Sequence, residues 1–297
     1  MRHFADLDVA TEFVAKLRWP NGPFCPECGS VECSYLTTRR VWKCKACKKQ
    51  YSVKKGTIFE DSPIGLDKWL AAIWMVANCR NGVSSHELGR NVGVTQKSAW
   101  FMLQRIRLAM QSGSFDKLDG EVEVDETFIG GKARNMHKRD RARKITGTGG
   151  KDKTVVFGVR QRGGEIRATV VPDTRRGTLH AQVRENVAHG SAVYTDALRS
   201  YSGLSGDYAH ETVDHAECYV DGRVHTNGLE NFWSLFKRGL HGTYISVQPY
   251  HLFRYLDEQV YRYNRREQSD AARFRGIVGT ASGRRVTYAA LTGRDSA

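Results

Sequence analysis

Residues 121–131 read EVEVDETFIGG, and the character of the chain changes at this point. Val122 and Val124 alternate with charged positions, which is the period of a half-buried β-strand. The strand runs into a carboxylate, Asp125, near its end. The stretch therefore predicts a strand that carries an acidic group towards the edge of a sheet.

Further β-rich runs and then helical runs follow this strand: KTVVFGVRQR, GEIRATVVPD, SAVYTDAL, and helical stretches at 227–240 and about 249–266. The first three strands are close enough in sequence to form an antiparallel meander. Strands followed by helices predict an α/β domain over residues 117–268.

The composition is that of a folded, strongly basic protein. Among 297 residues, 46 Lys and Arg outnumber 32 Asp and Glu, giving a net charge of +14. This excess predicts binding to a polyanion, most commonly nucleic acid. No apolar run reaches the ~18–20 residues of a membrane span, and MRHFADLDVATEF lacks the apolar core of a secretion signal. We expect a soluble, cytoplasmic protein without a membrane partner.

Residues 21–60 form a cysteine-rich segment in which CPECG and CKAC give the pattern C-x2-C-x15-C-x2-C. Two such knuckles supply a tetrahedral set of four thiolates, so the pattern predicts a zinc ribbon with structural Zn²⁺. A redox C-x-x-C pair or unrelated buried thiols are the alternatives. Cys33 is left over as a bystander. The predicted zinc ligands are Cys25, Cys28, Cys44 and Cys47.

Residues 1–20 predict a short N-terminal helix, and residues 61–116 predict three more helices, in LDKWLAAIWMVANCRNG, SSHELGRNVG and TQKSAWFMLQRIRLAM. Ser84 or Ser85 can cap the second of the three, and Thr95 the third. A short helix, a glycine-containing turn and a polar helix start have the form of a helix-turn-helix. An ordinary three-helix domain is the alternative. The residues predicted to reach DNA bases are Gln96, Lys97 and Ser98.

Residues 132–153 hold nine Lys and Arg and end in glycines, which predicts an exposed flexible loop. Such a loop can bind the phosphates of the DNA backbone, and the alternative is a solvated loop without a partner. Residues 269–297 predict a basic tail. The candidate DNA contacts are Lys138, Arg139, Arg141, Arg143, Lys144 and, on the later helix, Arg238.

Three carboxylates, Asp125, Asp196 and Glu230, stand at strand ends or on a helix. Each alone is more often a cap, a turn or a surface group, and Glu126 is a neighbouring rival for Asp125. Together they suit two Mg²⁺ ions about 3.5–4 Å apart, which can hold the attacking and leaving oxygens of a phosphodiester.

The helix HTNGLENFWSLFKRGL, residues 225–240, has one apolar face and a polar stripe on its flank. At ~100° per residue, Lys237 returns to within ~20° of Glu230, whereas Asn231 points ~100° away. Glu230 is therefore favoured as the third acid. Asn227 stays open as a neighbour or as the helix cap, and a share of this role for Asn231 also stays open.

Most of the chain, in order, resembles bacterial insertion-sequence transposases with a zinc ribbon and an integrase-like DDE domain, the ISXO-like group. The matching pieces are CPECG…WKCKACKKQYS, VEVDETFIGGK, VYTDALRSYSGL and HTNGLENFWSLFKRGLHGTYISVQPYHLFRYLDEQVYRYNRR. The resemblance implies a multidomain α+β protein with a ribonuclease-H-like catalytic domain. It also implies metal ligation by Asp125, Asp196 and Glu230, with Lys237 as the basic partner.

By the same resemblance, the activity is DNA transposition dependent on Mg²⁺ or Mn²⁺. Water cuts the element ends, and a 3′-hydroxyl then attacks target DNA. The expected partners are terminal inverted repeats, target DNA and a second copy in a homodimer or higher multimer, associated with the nucleoid. The alternatives are a zinc-ribbon/helix-turn-helix regulator with an inactive nuclease-like domain, and a ribonuclease-H-like repair nuclease.

Overall fold

The computed structural model describes residues 2–111, 116–131, 136–145, 147, 152–213, 224–245 and 247–292. The chain forms two compact units of mixed α and β structure. The first unit is Met1–Gln111 with Arg265–Ala297, and the second unit is Ser112–Asn264. Within the described ranges, no helix has both the length and the apolar content needed to cross a bilayer.

The ribbon of the first unit is a three-stranded antiparallel sheet. Its strands, in the order β1-β2-β3, are β1 (Cys33–Leu36), β2 (Val41–Cys44) and β3 (Gln50–Ser52). Trp42 lies opposite Tyr51 across the β2–β3 pair, and the ring of Trp19 packs edge-on against both, 5.0 and 6.0 Å away. Because the ribbon is too short to bury a core alone, Trp19 contributes an aromatic ring from outside it.

Four helices complete the part of the first unit that precedes residue 112: α1 (Leu7–Arg18), α2 (Leu66–Asn78), α3 (Ser85–Val92) and α4 (Gln96–Met110). The predicted caps are confirmed, since the Ser84 hydroxyl accepts from the Glu87 N–H and the Thr95 hydroxyl from the Ser98 N–H. Gly89 allows the tight turn between α3 and α4, because a Cβ there would lie 2.9 Å from the Val94 carbonyl oxygen.

The segment expected as a basic tail contains two helices, α9 (Asp270–Gly279) and α10 (Tyr288–Thr292). Ser269 caps α9 by accepting from the Ala272 N–H. The Phe274 ring packs 5.9 Å from Phe4 and 5.7 Å from Phe13, between ring centroids. Although this segment is basic, α9 has an apolar face that is buried in the core of the first unit.

The second unit is built on a mixed five-stranded sheet in the order β6-β5-β4-β7-β8. The first three strands form the predicted antiparallel meander, whereas β7 pairs parallel with β4 and β8 parallel with β7. The strands are β4 (Glu121–Ile129), β5 (Thr154–Gln161), β6 (Ile166–Val171), β7 (Ala192–Asp196) and β8 (Ala209–Val213).

Helices cover both faces of this sheet. On one face α6 (Arg176–Asn186) packs against the core that includes Val122 and Val124. On the other face lie α7 (Asn227–Gly239), a π-helical turn (Leu240–Tyr244) and α8 (Leu252–Asn264). The predicted apolar face of α7 is buried through Leu229, Phe232, Trp233 and Phe236.

The basic segment 132–153 differs from the predicted loop in its described part. Residues Lys138–Lys144 form a short helix, α5, with all five of the candidate basic side chains exposed. Arg143 Nη2 lies 3.5 Å from Asp140 Oδ1. Opposite charges three residues apart in sequence favour a helix. Residues 132–135, 146 and 148–151 lie outside the described residues.

Candidate functional site

The four predicted zinc ligands converge at one point of the ribbon. Their Sγ atoms all lie within 4.8 Å of one another, and the Cys25–Cys47 and Cys28–Cys44 pairs are 3.6 Å apart. A tetrahedron with zinc–sulfur bonds of about 2.3 Å has an edge of roughly 3.8 Å. This four-thiol site is therefore preformed and fits a structural zinc ion.

The thiols of the four-thiol site differ in acidity. The backbone N–H of Cys47 is the main cause that lowers the pKa of the Cys44 thiol, to about 6, against the effect of burial. The backbone N–H of Lys49 also lowers the pKa of Cys47, but burial and the neighbouring thiols raise it to about 12. Because zinc binds thiolates, its binding would displace a proton that Cys47 otherwise keeps.

Cys33 lies beside the four-thiol site and is not part of it. Its sulfur accepts a hydrogen bond of 3.0 Å from the Tyr51 hydroxyl and lies 3.5 Å from the Ser30 carbonyl oxygen. Within the described part of the chain, the cluster of potential metal ligands comprises the other four cysteines of the ribbon and omits Cys33.

Asp125 lies in the middle of β4 and not near its end as predicted, because the strand continues to Ile129. This strand turns two neighbouring carboxylates to opposite faces. Asp125 faces α7, where the indole Nε1 of Trp233 donates to Asp125 Oδ2 at 3.0 Å. Glu126 faces the other core, where the Tyr201 hydroxyl donates to its Oε2 at 2.6 Å. The Glu126 backbone N–H donates to Asp125 Oδ1 at 2.8 Å, so both oxygens of Asp125 are held.

Asp196 ends β7, the strand next to β4. The two strands are parallel, and Glu123 is paired with Tyr194. Since Asp125 and Asp196 each follow that pair by two residues, both lie on adjacent strands at the same level of the sheet. The Leu198 N–H donates to Asp196 Oδ1 at 3.1 Å.

A cavity of about 470 Å³ lies between β4 and the flank of α7. Glu230 and Lys237 both line it, as the predicted helical stripe requires. The described lining residues include neither Asn227 nor Asn231 nor Asp196. We call this space the acidic cavity; it is lined by Asp125, Glu126, Thr127, Glu230, Trp233, Ser234 and Lys237.

The strand carboxylates repel one another. Burial is the largest cause that raises the pKa of Asp125, to about 8, and the charges of Glu126 and Asp196 add to it. Burial and the Asp196 charge raise the pKa of Glu126 to about 7, although the Tyr201 hydrogen bond opposes this. Oxygen donors that repel one another in this way fit a hard divalent cation, whose charge makes their proximity favourable.

The predicted DNA-contacting residues fall in both units. In the first unit, Gln96 and Lys97 begin α4 and are exposed, and Ser98 is half-buried. Gln96 Nε2 donates to Ser85 Oγ at 2.8 Å, and Lys97 Nζ lies 5.0 Å from the centre of the Tyr288 ring. In the second unit, the five basic residues of α5 and Arg238 of α7 are exposed.

An ion cluster near the acidic cavity was not predicted from the sequence; it consists of the buried Glu123 with the half-buried Arg160 and Arg162. The one available signal was the strand period, which puts Glu123 on the same face as Asp125. Trp233 was predicted only to pack the helix, because periodicity does not distinguish an indole that also donates a hydrogen bond.

Comparison with known proteins matches two parts of the chain. Residues 117–264 match the ISXO2-like transposase domain, and residues 7–50 match the transposase zinc-ribbon domain. An uncharacterized protein in transposable element ISH50 of Halobacterium salinarum is 30% identical over 253 residues, 81% of this chain and 85% of that protein. An uncharacterized transposase-like protein of Haemophilus influenzae is 33% identical over 104 residues, 35% of this chain and 84% of that protein.

The Halobacterium relative shares most of its length with this chain, and the two matched domains follow one another in the predicted order. The transposase zinc-ribbon match coincides with the four-thiol site, and the other match contains the whole acidic cavity. On these grounds the chain belongs to the ISXO2-like transposase family.

Proposed function

We propose that this protein is the transposase of an insertion sequence, which binds the ends of its element and catalyses phosphodiester hydrolysis and strand transfer with Mg²⁺ or Mn²⁺. The observation that carries the proposal is the acidic cavity. In it Asp125 from a central strand and Glu230 and Lys237 from one helix flank line the same space. Asp196 stands on the next strand at the level of Asp125.

The architecture of the second unit supports a ribonuclease-H-like classification. Three antiparallel strands lead into two parallel ones, with β4 in the centre of the sheet. Its acids lie on the central strand, on the adjacent parallel strand and on a helix packed against them. A site built on such rigid elements keeps its ligands in place without metal.

The residues have distinct roles in this proposal. Asp125, Asp196 and Glu230 would hold two divalent cations, which supply Lewis-acid stabilisation of the developing charge when bound. The Trp233 indole orients the Asp125 carboxylate. The Lys237 ammonium, on the cavity wall, would bind a phosphate oxygen of the scissile strand.

Glu230 is the proposed third acid. It lines the acidic cavity with Lys237, whereas Asn227 and Asn231 are exposed elsewhere on α7. A carboxylate also supplies the negative charge that a hard cation prefers over an amide.

DNA binding is proposed to use both units. The exposed start of α4, with Gln96 and Lys97, would read base edges as the second helix of a helix-turn-helix. The exposed positive charges of α5 and Arg238 would contact phosphates without sequence preference. Because an element has two ends, we propose a homodimer or higher multimer on DNA and association with the nucleoid.

The test incubates purified protein with labelled DNA from the flanks of its own gene, in Mg²⁺ or in chelator. We expect nicking and joining only with Mg²⁺, and loss of both in Asp196→Asn and Glu230→Gln but not in Asn231→Ala. Full activity of Asp196→Asn would exclude the proposed chemistry. Specific binding without any cleavage would instead favour a DNA-binding regulator with an inactive domain. Gel filtration of the DNA complex tests the multimer, and a monomer alone would contradict it.

A further inference from the structure

Glu123 is a fully buried carboxylate, 0% exposed, on the central strand β4. It precedes Asp125 by two residues, so both side chains face α7. Ionised carboxylates are almost never buried completely unless they are paired. The hydrogen-bond partners of Glu123 therefore indicate its structural role.

Both oxygens of Glu123 are occupied. Oε1 accepts from Arg160 Nη1 at 3.0 Å and from Arg162 Nε at 3.2 Å. Oε2 accepts from the backbone N–H of Leu229 at 3.0 Å. Arg162 also donates from Nη2 to the His225 carbonyl oxygen at 2.9 Å. One carboxylate thus joins Arg160 of β5 and Arg162, the residue after this strand, to the first turn of α7.

Glu123 acts as a cap for α7 from a distant strand. Thr226 is the N-cap residue of α7, and its side chain makes no capping hydrogen bond to the described first turn. The first N–H groups of a helix need acceptors, and negative charge is favourable there. At Leu229, directly before Glu230, Glu123 supplies the negative charge and a second acceptor, since this N–H also donates to the Thr226 carbonyl oxygen at 2.9 Å.

Gly228 independently shows how closely α7 approaches Glu123. A Cβ at this position would lie 2.6 Å from Glu123 Oε2 and closer still to Arg160 Nη1. The helix can therefore approach the carboxylate this closely only because residue 228 has no side chain.

Two contacts then join the strand to the helix, Glu123 to Leu229 and Asp125 to Trp233. Residues two apart on a strand are about 6.7 Å apart, and residues four apart on a helix rise about 6 Å. The spacings agree, so the two contacts together fix both the height and the rotation of α7.

We propose that Glu123, held by Arg160 and Arg162, is a positioning residue that presents Glu230 and Lys237 to the acidic cavity opposite Asp125. This inference rests on the proposed function of that cavity. Glu123 itself touches no substrate; it acts through the helix that carries the third acid and the lysine.

Glutamine cannot replace Glu123. Its single amide oxygen can accept either from the arginines or from Leu229, and its NH₂ group would then face a donor on the other side. Glu123→Gln keeps the shape of the side chain but loses the contact either to the arginines or to the Leu229 N–H. Glu121→Gln is the matched control, because Glu121 lies on the same strand within 3.8 Å of Arg162 and accepts from the Tyr194 hydroxyl rather than from α7.

The first measurement is hydrogen–deuterium exchange over residues 225–232 of the zinc-loaded protein without added Mg²⁺ or Mn²⁺. We expect exchange to be several-fold faster in Glu123→Gln and unchanged in Glu121→Gln, because the Leu229 N–H then keeps only the Thr226 carbonyl oxygen as its acceptor. Gly228→Ala disturbs the same contact while Glu123 and both arginines are kept in the sequence, and it is the second variant for this measurement if Glu123→Gln does not fold. Unchanged exchange in the folded variant would overturn the proposal.

The second measurement is end cleavage as a function of Mg²⁺. Residues that orient metal ligands typically contribute about 10–100-fold to affinity or activity, so Glu123→Gln should raise the Mg²⁺ midpoint and recover rate at high Mg²⁺, with DNA affinity unchanged. A wild-type Mg²⁺ dependence and rate, despite faster exchange, would overturn the positioning role. If the wild-type protein itself does not cut, the proposed function fails, while the exchange measurement still decides whether Glu123 holds α7.

Discussion

The indole Nε1 of Trp233 donates a 3.0 Å hydrogen bond to Asp125 Oδ2. Trp233 belongs to the apolar face that packs α7 on the sheet, and its polar edge reaches the strand acid. Trp233 therefore packs the helix on the sheet and also holds one of the two oxygens of the Asp125 carboxylate.

Trp233→Phe keeps most of the packing and removes the donor. The Trp233 hydrogen bond lowers the pKa of Asp125, so its loss should raise that pKa further and weaken metal binding. A hydrogen bond to a charged group contributes about 1.5–3 kcal/mol, so we expect the Mg²⁺ midpoint of cleavage to rise roughly ten-fold. Trp69→Phe, which loses a bond to Ser62 in the first unit, is the control. An unchanged midpoint in Trp233→Phe would contradict this role.

Gly158→Ala should destabilise the second unit. Gly158 is paired with Asp125 across the β4–β5 ladder, and an added Cβ would lie 2.6 Å from Trp233 Cζ2 and 3.0 Å from Leu229 Cδ2. Overpacking of this kind costs about 1–3 kcal/mol. In Gly177→Ala, at an exposed position of α6, the new methyl group meets no described atom within 4 Å and should not destabilise the second unit. Denaturant unfolding compares the two variants, and equal stabilities would refute the close contact.

Cleavage should need less Mg²⁺ as the pH rises. The pKa of Asp125 is about 8 without metal, so below that pH the cation has to displace a proton. Metal affinity should increase by up to about ten-fold per pH unit between about pH 6 and 8 and level off above. Mg²⁺ titrations of cleavage across this range test it, with DNA affinity in chelator as the control. A midpoint independent of pH would show that Asp125 is already ionised.

The same pKa makes a prediction for stability without metal. The folded-state pKa of Asp125, about 8, lies above its ordinary value of 3.8, so the folded state binds more protons. The stability contributed by protonated Asp125 is therefore fully present below about pH 3.8 and is lost as the pH rises towards 8. In thermal unfolding, the melting temperature of Asp125→Asn relative to wild type should increase from about pH 4 to about pH 8. A constant difference would speak against a buried, protonated Asp125.

Zinc should depend on four of the cysteines in the ribbon. Cys47→Ser removes one of the four converging sulfurs and should abolish stoichiometric zinc and unfold the ribbon, because a site this small folds with its metal. Cys33→Ala should keep the zinc, since Cys33 lies outside the four-thiol site. Metal analysis of the two purified variants checks the prediction. Zinc loss in Cys33→Ala would show that the ligand set is different.

Local patterns predicted what depends on neighbours in sequence. The C-x-x-C knuckles, the caps at Ser84 and Thr95, and the alternation around Val122 and Val124 each lie within a few residues. For this reason they were confirmed by the four-thiol site, by α3 and α4, and by β4.

Other elements carried too weak a local signal. The edge strand β8 reads AHETV and is largely exposed, so it lacks the apolar alternation of a half-buried strand. The helices α5 and α9 lie in basic segments whose charge resembles that of a loop or a tail. Phe274 of α9 packs against Phe4 and Phe13, which lie near the other end of the chain. The apolar residues of α9 therefore could not be assigned to a core from the local sequence.

By itself, the sequence determined the strongly patterned helices and strands, the metal-ligand spacing of the ribbon and the helical stripe that joins Glu230 to Lys237. Only the tertiary structure decided that Glu123 holds the start of α7 and that Trp233 holds Asp125. These contacts join residues 106 and 108 positions apart. No periodicity extends that far, because the pairing of a strand with a distant helix is set by the packing of the whole sheet.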